Sequence, residues 1–344
     1  MKILCIRLSA IGDIVMASPL IKSLRVRYPD AYIAWLVQSE TSELLTANPL
    51  LDEVIVWPRG DWRRLWRNMR WLKLAREIRN FTGQLRARHF DIVIDLQGLL
   101  KSGIWARLTG APLRIGLGSK EGSRLLMNQI IDKPGDDDRI GPEYRHLAHS
   151  LGLDYSEFDM DVALTDEDQR YAAQIIEDNG LASGFIVVCP FTTRPQKHWV
   201  EDRWTALAQR MHTEFGARTI ILGGPDNRET AASIAANCQD TVTNLAGRTR
   251  LRQAAALIGR ASLLVGVDTG LTHMGIMFNI PTIAIFGSTR PYLETEHNNT
   301  VIIYKQLECS PCGRNPTCGG AFTCMTSVSV DEVMANAARL LRKV

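Results

Sequence analysis

The 344-residue chain lacks any long apolar segment and any strong excess of one charge. No window reaches the roughly 18 uninterrupted apolar residues of a membrane-spanning helix. The chain begins MKILCIRLSAIGD, somewhat like a secretion signal, but Arg7 and Asp13 interrupt the apolar run and no small-residue cleavage pattern follows. The formal net charge of +3 does not demand a polyanionic partner. We therefore expect a cytoplasmic protein that is soluble or binds a membrane peripherally.

The dinucleotide fingerprint G-x-G-x-x-G is also missing from the first strand-to-helix turn, which weakens an assignment as a dehydrogenase. Short apolar runs nevertheless alternate with helical patterns, as in parallel sheets covered on both faces. The predicted strands are KILCIR, YIAWLV, EVIVW and FDIVIDL in the first half, and FIVVCP, RTIILGG, SLLVGVD and PTIAIFG in the second. The sequence therefore predicts an α/β protein with two Rossmann-like, doubly wound parallel-sheet domains that face an interdomain cleft, with the ligand at the carboxyl ends of the strands.

An acidic stretch, SEFDMDVALTDEDQ, separates the two halves of the pattern. We predict an N-terminal domain over residues 1–165, a linker region with one helix over 166–184, and a C-terminal domain over 185–329. Residues 330–344 are predicted to form a final helix that could pack on either domain.

The first predicted strand passes into the first predicted helix through SAIGD, which contains Ser9, Gly12 and Asp13. Gly12 would permit close approach of backbone and ligand. Two interpretations of Asp13 remain open and do not exclude each other. It could cap the helix, as Asp often does, or it could act as a general base at the mouth of the cleft and take a proton from a substrate hydroxyl.

Three segments of the second domain carry polar residues directly after predicted strands. CPFTTRPQKHW offers the hydroxyls of Thr192 and Thr193 and the cation of Lys197, which could cradle a diphosphate or simply form a solvated loop. GVDTGLTH begins a helix at Asp268–Gly270, where free N–H groups and the helix dipole favour an anion. His273, one turn further, is either structural or a phosphate or substrate contact. GGPDNRE places Glu229 where its carboxylate could bind ribose hydroxyls.

The segment RGDWRRLWRNMRWLKLAREIRN is unusually basic and rich in tryptophan. Its helical spacing predicts one apolar face, made of Trp62, Leu65, Trp66, Met69 and Leu72. Basic residues crowd beside that face: Arg63, Arg67, Arg70 and Lys73. The segment could cover the sheet with its other face merely solvated, or it could contact an anionic membrane or the phosphates of a lipid-linked acceptor. Nucleic acid would suit the charge, but no nucleic-acid motif accompanies it.

Four cysteines crowd into CSPCGRNPTCGGAFTCM near the end of the chain: Cys309, Cys312, Cys318 and Cys324. Disulfides are not expected in a reducing compartment. Four thiolates could hold a structural zinc ion or an iron–sulfur cluster. The alternative is a structural loop without metal, because the later spacings differ from those of common zinc fingers.

Taken together, these segments resemble glycosyltransferase family 9, the ADP-heptose:lipopolysaccharide heptosyltransferases of Gram-negative bacteria. The likeness runs nearly end to end and is carried by RLSAIGDIVMASP, DIVIDLQGLLKSG, TTRPQKHW, GGPDNRE, and DTGLTHMG followed by PTIAIFGSTRP. The resemblance implies the GT-B fold, with Asp13 as the catalytic base. It places the donor on Thr192, Thr193, Lys197, Glu229, Asp268, Thr269, Gly270, Leu271, Thr272 and His273. It places Lys101 and Ser102 on the acceptor side, where we also expect Ser9 and Gly12 of the first loop and Arg63 of the basic segment.

The mechanism implied by the resemblance is a single inverting displacement that needs no metal. ADP-heptose would be the donor and Kdo-lipid A or a core oligosaccharide the acceptor, at the cytoplasmic face of the inner membrane. Within the family, DLQGLLKSG favours the first heptosyltransferase, acting on Kdo, whereas the Cys-rich loop favours the second, acting on heptose. A GT-B transferase with another nucleotide sugar, or a nucleotide-sugar-binding protein without activity, remains the alternative.

Overall fold

The computed structural model describes residues 1–238, 240–295 and 297–342. The chain divides into two compact units. The first unit contains Met1–Asp137 and Gly141–Ala163, and the second contains Asp138–Ile140 and the chain from Leu164 onward. The first unit thus ends two residues before the predicted end of the first domain.

The first unit is built on a parallel sheet of six strands in the order β3-β2-β1-β4-β5-β6. The strands are β1 (Lys2–Ile6), β2 (Tyr32–Gln38), β3 (Glu53–Trp57), β4 (Ile92–Asp95), β5 (Leu113–Leu117) and β6 (Gln129–Ile131). Its helices are α1 (Ile11–Ala17), α2 (Pro19–Arg27), α3 (Glu43–Thr46), α4 (Arg59–Arg67), α5 (Trp71–Ala87), α6 (Leu100–Leu108) and α7 (Pro142–Ser150).

The second unit repeats this arrangement with a parallel sheet in the order β12-β11-β10-β7-β8-β9. The strands are β7 (Phe185–Cys189), β8 (Arg218–Ile221), β9 (Val242–Asn244), β10 (Leu263–Val267), β11 (Thr282–Phe286) and β12 (Thr300–Tyr304). The helices are α8 (Asp166–Asp178), α9 (Glu201–Phe215), α10 (Arg228–Ala236), α11 (Leu251–Ile258), α12 (Gly270–Met277), α13 (Thr323–Thr326) and α14 (Val330–Leu341).

Counted within each unit, both sheets have the strand order 3-2-1-4-5-6 of the Rossmann fold. The prediction of two Rossmann-like domains with parallel sheets is therefore confirmed. Every residue of β7 and of β10 is buried, which explains why these strands are continuous apolar runs rather than alternating ones. In such sheets the connections diverge between the first and fourth strands, and ligands bind at the carboxyl ends there. These switch points lie at β1 and β4 in the first unit and at β7 and β10 in the second.

The basic, Trp-rich segment differs from its prediction because it forms two helices, α4 and α5, and not one. Met69 has a left-handed backbone with a φ of 55° and lies in the short connection between them. This connection ends α4 and resets the helical phase, so the predicted single apolar face is wrong. Trp62 packs in the core, whereas Trp66, Met69 and Leu72 are exposed.

Two other segments belong to the second unit. Residues 166–184, predicted as a linker, contain α8, which packs on α11. The buried carboxylate of Asp168 on α8 lies 2.8 Å from Nε of Arg252 on α11. The final helix, α14, contributes Val333 and Leu340 to the core of the second unit. Among the described residues, no helix is both long and apolar enough to cross a bilayer.

Candidate active site

The first unit places an ion pair directly after β1. Arg7 has a side chain that is only 8% exposed, and its Nη2 lies 2.6 Å from Oδ1 of Asp13. Its Nη1 donates to the carbonyl oxygen of Leu96, which follows the neighbouring strand β4, at 2.9 Å. Burial lowers the pKa of Arg7, but the groups around it, Tyr144 and then Asp13, raise it more. A permanent positive charge therefore lies beside the Asp13 carboxylate.

Asp13 itself is the third residue of α1, and its Oδ2 accepts a hydrogen bond from the backbone N–H of Ala10 at 3.1 Å. The carboxylate thus stabilises the start of the helix, as one of the two interpretations predicts. Its side chain is still 34% exposed, so a hydroxyl could approach it. Ser9 lies half-buried just before the helix, and Gly12 is buried in its first turn.

The loop after β4 is organised by Asp95, a buried carboxylate that sequence analysis missed. Its Oδ1 accepts from the N–H groups of Gln97 and Gly98, and its Oδ2 accepts from the hydroxyl of Ser102 at 2.9 Å. Burial raises the pKa of Asp95 in spite of these hydrogen bonds. Ser102 is fully buried, so the structure gives no support to its predicted contact with an acceptor, which stays a prediction. The neighbouring Lys101 is half-buried on the first turn of α6.

In the second unit, Lys197 and Asp268 meet at the switch point of the sheet. Lys197 ends the short 3₁₀ turn after β7, and Asp268 directly follows β10. The Lys197 ammonium bonds Oδ2 of Asp268, and each side chain is 14% exposed. Thr289, which follows β11, donates its hydroxyl to the same oxygen at 2.5 Å. Burial alone would raise the pKa of Asp268, but His273, Lys197 and Thr289 together lower it, so the carboxylate is ionised at neutral pH.

His273 is held from both sides in the first turns of α12. Its Nε2 lies 3.7 Å from Oδ1 of Asp268, and its Nδ1 is hydrogen-bonded to the hydroxyl of Tyr292 at 3.0 Å. Both rings are buried, and burial raises the pKa of Tyr292 well above its usual value. These contacts fix the ring of His273 beside the Lys197–Asp268 pair.

The other residues predicted to bind the donor substrate differ in how exposed their side chains are. Thr192 donates to the carbonyl of Asp268 at 3.4 Å, and Thr193 is exposed beside it. Thr269, Gly270 and Leu271 are half-buried around the start of α12, and Glu229 is exposed in the first turn of α10.

Thr272 is fully buried, and its hydroxyl donates to the carbonyl of Val267 at 2.7 Å. Gly266 provides the space for it, because a Cβ there would lie 2.2 Å from Oγ1 of Thr272. The hydroxyl of Thr272 therefore fixes α12 to the end of β10, and the structure gives no support to its predicted contact with the donor, which stays a prediction.

The Cys-rich loop lies next to this region. The backbone N–H of Gly313 donates to the carbonyl of Ser288 at 2.6 Å, and Gln196 donates to the carbonyl of Gly313 at 3.3 Å. Burial and the neighbouring thiol groups raise the pKa of Cys324. In the described part of the chain, no three His, Cys, Asp or Glu side chains are arranged to hold a metal ion. The geometry therefore gives no support to the predicted metal site at Cys309, Cys312, Cys318 and Cys324.

Sequence analysis missed Arg7, Asp95, Thr289 and Tyr292 as site residues. Arg7 directly follows β1, and Thr289 and Tyr292 lie in GSTRPY directly after β11, so position relative to a strand was the available signal. Predicted acceptor residue Arg63 lies elsewhere in the first unit, on the exposed side of α4. It lines a depression of about 580 Å³ with Gly60, Arg64, Arg67 and Asn68.

Comparison with known proteins identifies the family. A curated relative, the lipopolysaccharide core heptosyltransferase OpsX of Haemophilus influenzae, is 25% identical over 314 residues, which cover 89% of this chain and 85% of that protein. A glycosyltransferase family 9 structure from Veillonella parvula superposes with a TM-score of 0.85 at 20% identity, covering 100% of this chain and 98% of the other. The E. coli heptosyltransferase WaaC, solved with ADP-2-deoxy-2-fluoro heptose, superposes with a TM-score of 0.75 at 23% identity, covering 98% and 99%.

The two Rossmann-like units agree with the GT-B architecture expected from the sequence. The family model for glycosyltransferase family 9 (heptosyltransferase) matches residues 78–320, which is more than half of the chain. This span contains the whole Lys197–Asp268 region, and Asp13 lies before it. The chain belongs to glycosyltransferase family 9, the heptosyltransferase family, and is a glycosyltransferase.

Proposed function

We propose that this glycosyltransferase moves heptose from ADP-L-glycero-D-manno-heptose to the Kdo or heptose of the lipopolysaccharide inner core, with inversion at the anomeric carbon. The observation that carries the proposal is the group of Lys197, Thr192 and the start of α12 around Asp268, at the switch point of the second sheet. The names of the relative and of the solved structure support the same donor and product class.

The donor diphosphate would bind where Lys197 meets the N-terminus of α12. Backbone N–H groups at the start of a helix favour an anion, and an ammonium adds a full charge. Asp268 holds Lys197 in place, and the exposed hydroxyl of Thr193 is proposed to donate to the phosphates. Glu229 is proposed to accept hydrogen bonds from the ribose hydroxyls.

Asp13 is proposed as the general base. It takes the proton of the acceptor hydroxyl while that oxygen forms a bond to C1 of the heptose. The bond between C1 and the β-phosphate oxygen breaks, and ADP leaves with the electron pair from the opposite face. General-base assistance of this kind contributes about 10²- to 10⁴-fold. Arg7 orients the carboxylate through its contact with Oδ1.

We propose that the transfer needs no metal ion, because Lys197 and the start of α12 meet the charge that develops on ADP. The measurement is the transfer rate after exhaustive treatment with EDTA, compared with the rate in added Mg²⁺. Equal rates are expected. A rate that falls to background with EDTA and returns with Mg²⁺ would contradict this part of the proposal.

We also propose that the protein works as a peripheral protein at the cytoplasmic face of the inner membrane. Kdo-lipid A carries its sugar on a lipid anchor, so a transferase must meet it at a membrane surface. Exposed Arg63 and half-buried Lys101 on the first unit are proposed to contact anionic groups of the acceptor.

The test is to incubate the protein with ADP-heptose and either Kdo-lipid A or its heptosylated product, and to detect the product by mass spectrometry. Asp13→Asn is expected to lose about 10²- to 10⁴-fold in transfer while binding ADP as the wild type does. Asp30→Asn, at an exposed position, is the matched control and should transfer normally. Undiminished transfer by Asp13→Asn would exclude it as the base, and transfer of another sugar alone would replace heptose as the substrate.

A further inference from the structure

The helical hairpin formed by α4 and α5 carries an unusual concentration of exposed apolar side chains. Of the thirteen large apolar side chains exposed in the described residues, five lie within residues 66–78. At its tip, residues 66–72, Trp66 is 60% exposed, Met69 73% and Leu72 91%. Trp66 packs edge-on against Trp71 with the ring centroids 4.1 Å apart. Single exposed apolar residues are ordinary, whereas a contiguous group marks an interaction site.

The same hairpin is strongly basic. Residues 59–88 contain ten Lys or Arg and two Asp or Glu, a net charge of +8 in a chain whose total is +3. Arg64 pairs with Asp61 at 2.6 Å, but among the described residues no carboxylate pairs with Arg63, Arg67 or Arg70. All three are exposed next to the tip. Their charge is therefore available to an anionic partner.

The base of the hairpin is fixed to the rest of the first unit. Trp62 on α4 and Phe81 on α5 pack against Trp105 of α6 with centroid distances of 5.7 and 5.1 Å. Trp57 at the end of β3 completes this aromatic cluster. The tip therefore projects from a rigid base, and its exposure does not come from a loosely packed segment.

We propose that the hairpin tip is a membrane-docking element that inserts Trp66, Met69 and Leu72 into the interfacial region of an anionic bilayer. The exposed arginines then bind the headgroup phosphates. A basic helix with Trp and Leu is the composition that lies at such interfaces. Nucleic acid would use the arginines but gives no reason for the exposure of Leu72. The inference rests on the proposed function only in placing the acceptor on a membrane.

The test measures flotation of the full chain with vesicles of phosphatidylcholine alone and of phosphatidylcholine with phosphatidylglycerol. Wild type should bind only the anionic vesicles, and less in 1 M salt because the Debye length then falls to about 3 Å. Trp66→Gln/Leu72→Gln should lose most binding. Arg67→Gln/Arg70→Gln should bind about 25-fold more weakly, about fivefold for each arginine.

Matched controls remove the same side-chain types elsewhere. Leu125→Gln/Phe215→Gln removes two exposed apolar side chains outside the hairpin, and Arg27→Gln/Arg170→Gln removes two exposed arginines. Both should bind vesicles within twofold of wild type. On a lipid-free acceptor sugar, Trp66→Gln/Leu72→Gln should keep the wild-type kcat/KM, since the tip meets only lipid.

Unchanged vesicle binding by Trp66→Gln/Leu72→Gln would overturn the proposal. So would equal losses in the control variants, or a loss of binding to an RNA oligonucleotide without a loss of binding to vesicles. A matching fall in kcat/KM on the lipid-free acceptor would also overturn it, because the tip would then belong to the sugar site. The vesicle measurement contains no sugar, so it remains informative if heptose transfer is not observed.

Discussion

Replacing Lys197 by methionine should weaken both the fold of the second unit and the binding of the donor. Removing one partner of a buried ion pair costs about 3–5 kcal/mol. Lys197 and Asp268 are each 14% exposed, and Thr289 still donates to the carboxylate, so we expect the lower figure, about 3 kcal/mol, in the free energy of unfolding. Asp268→Asn should cost a similar amount because it leaves the ammonium without its counter-charge.

The double variant measures the interaction energy between Lys197 and Asp268 separately from the effect of each single change. Because the interaction can be lost only once, Lys197→Met/Asp268→Asn should cost about 2 kcal/mol less than the sum of the single changes. In kcat/KM, Lys197→Met should lose one charge-assisted hydrogen bond, about 1.5–3 kcal/mol or roughly 10- to 150-fold. The double variant should resemble Lys197→Met, since Asp268 acts by holding the lysine.

Urea unfolding measures the first quantity, and initial rates with ADP-heptose measure the second. Additive unfolding free energies, within about 0.5 kcal/mol, would show that the pair does not form. Unchanged kcat/KM in Lys197→Met would show that the lysine does not bind the donor.

The pH dependence of stability provides an independent check on the Asp268 carboxylate. The pKa of Asp268 is lowered in the folded state, so its stabilisation is present above the unfolded pKa near 3.9 and is lost as pH falls through the folded value. The stability difference between wild type and Asp268→Asn should therefore be full at neutral pH and shrink below about pH 4.

Three further changes test the rest of the site. Ser102→Ala should lower the free energy of unfolding by about 1–3 kcal/mol, because Asp95 loses a hydrogen-bond donor. The KM for the acceptor should not change; a raised KM would show that Ser102 contacts the acceptor. Gly266→Ala should cost about 1–3 kcal/mol because its Cβ would meet Thr272, whereas Gly83→Ala, with nothing within 4 Å, should cost nothing. Elemental analysis of anaerobically purified protein tests the predicted zinc or iron–sulfur site. Stoichiometric metal that is lost when the cysteines are replaced by serine would support the site, and absence of metal would exclude it. The four positions are Cys309, Cys312, Cys318 and Cys324.

The sequence predicted the centre of each sheet better than its margins. All eight predicted strands exist, and seven of them are inner strands of their sheets, whereas the eighth, β3, lies at an edge. The seven inner strands are buried on both faces, so each is a continuous apolar run. The strands that were missed are short, partly exposed or interrupted by polar residues and glycine, which weakens the pattern: β5, β6, β9 and β12.

The candidate site was predictable where a residue lies in the segment between a predicted central strand and the first turn of the next helix. Asp13, Lys197 and Asp268 are of this kind. Their partners were not predictable, because contact depends on which strands are neighbours: Arg7 reaches a carbonyl 89 residues away across the β1–β4 pair. Thr289 meets Asp268 in the same way, from the next strand of the sheet.

The two site predictions that the structure does not support have a common physical cause. Ser102 and Thr272 each lie in the first turn of a helix, next to residues with an accessible surface. At this position a hydroxyl can face a ligand or turn back to satisfy the polar groups of its own loop, and the sequence does not distinguish the two. In both helices the hydroxyl turns inward and bonds the end of the preceding strand or its loop.

Each unit has an ion pair at the equivalent position of the same sheet topology. Each puts one cation and one carboxylate at its switch point, Arg7 with Asp13 in the first unit and Lys197 with Asp268 in the second. The roles within the pairs are opposite. In the first, the arginine is buried and the carboxylate is the more exposed member, so the acid can meet a hydroxyl. In the second, the carboxylate is also held by a hydroxyl and a histidine, so the proposed exchange of the carboxylate for a diphosphate by the lysine would not leave a buried charge unpartnered. On the proposed mechanism, a base and an anion site arise from one repeated fold because a different member of each pair meets the substrate.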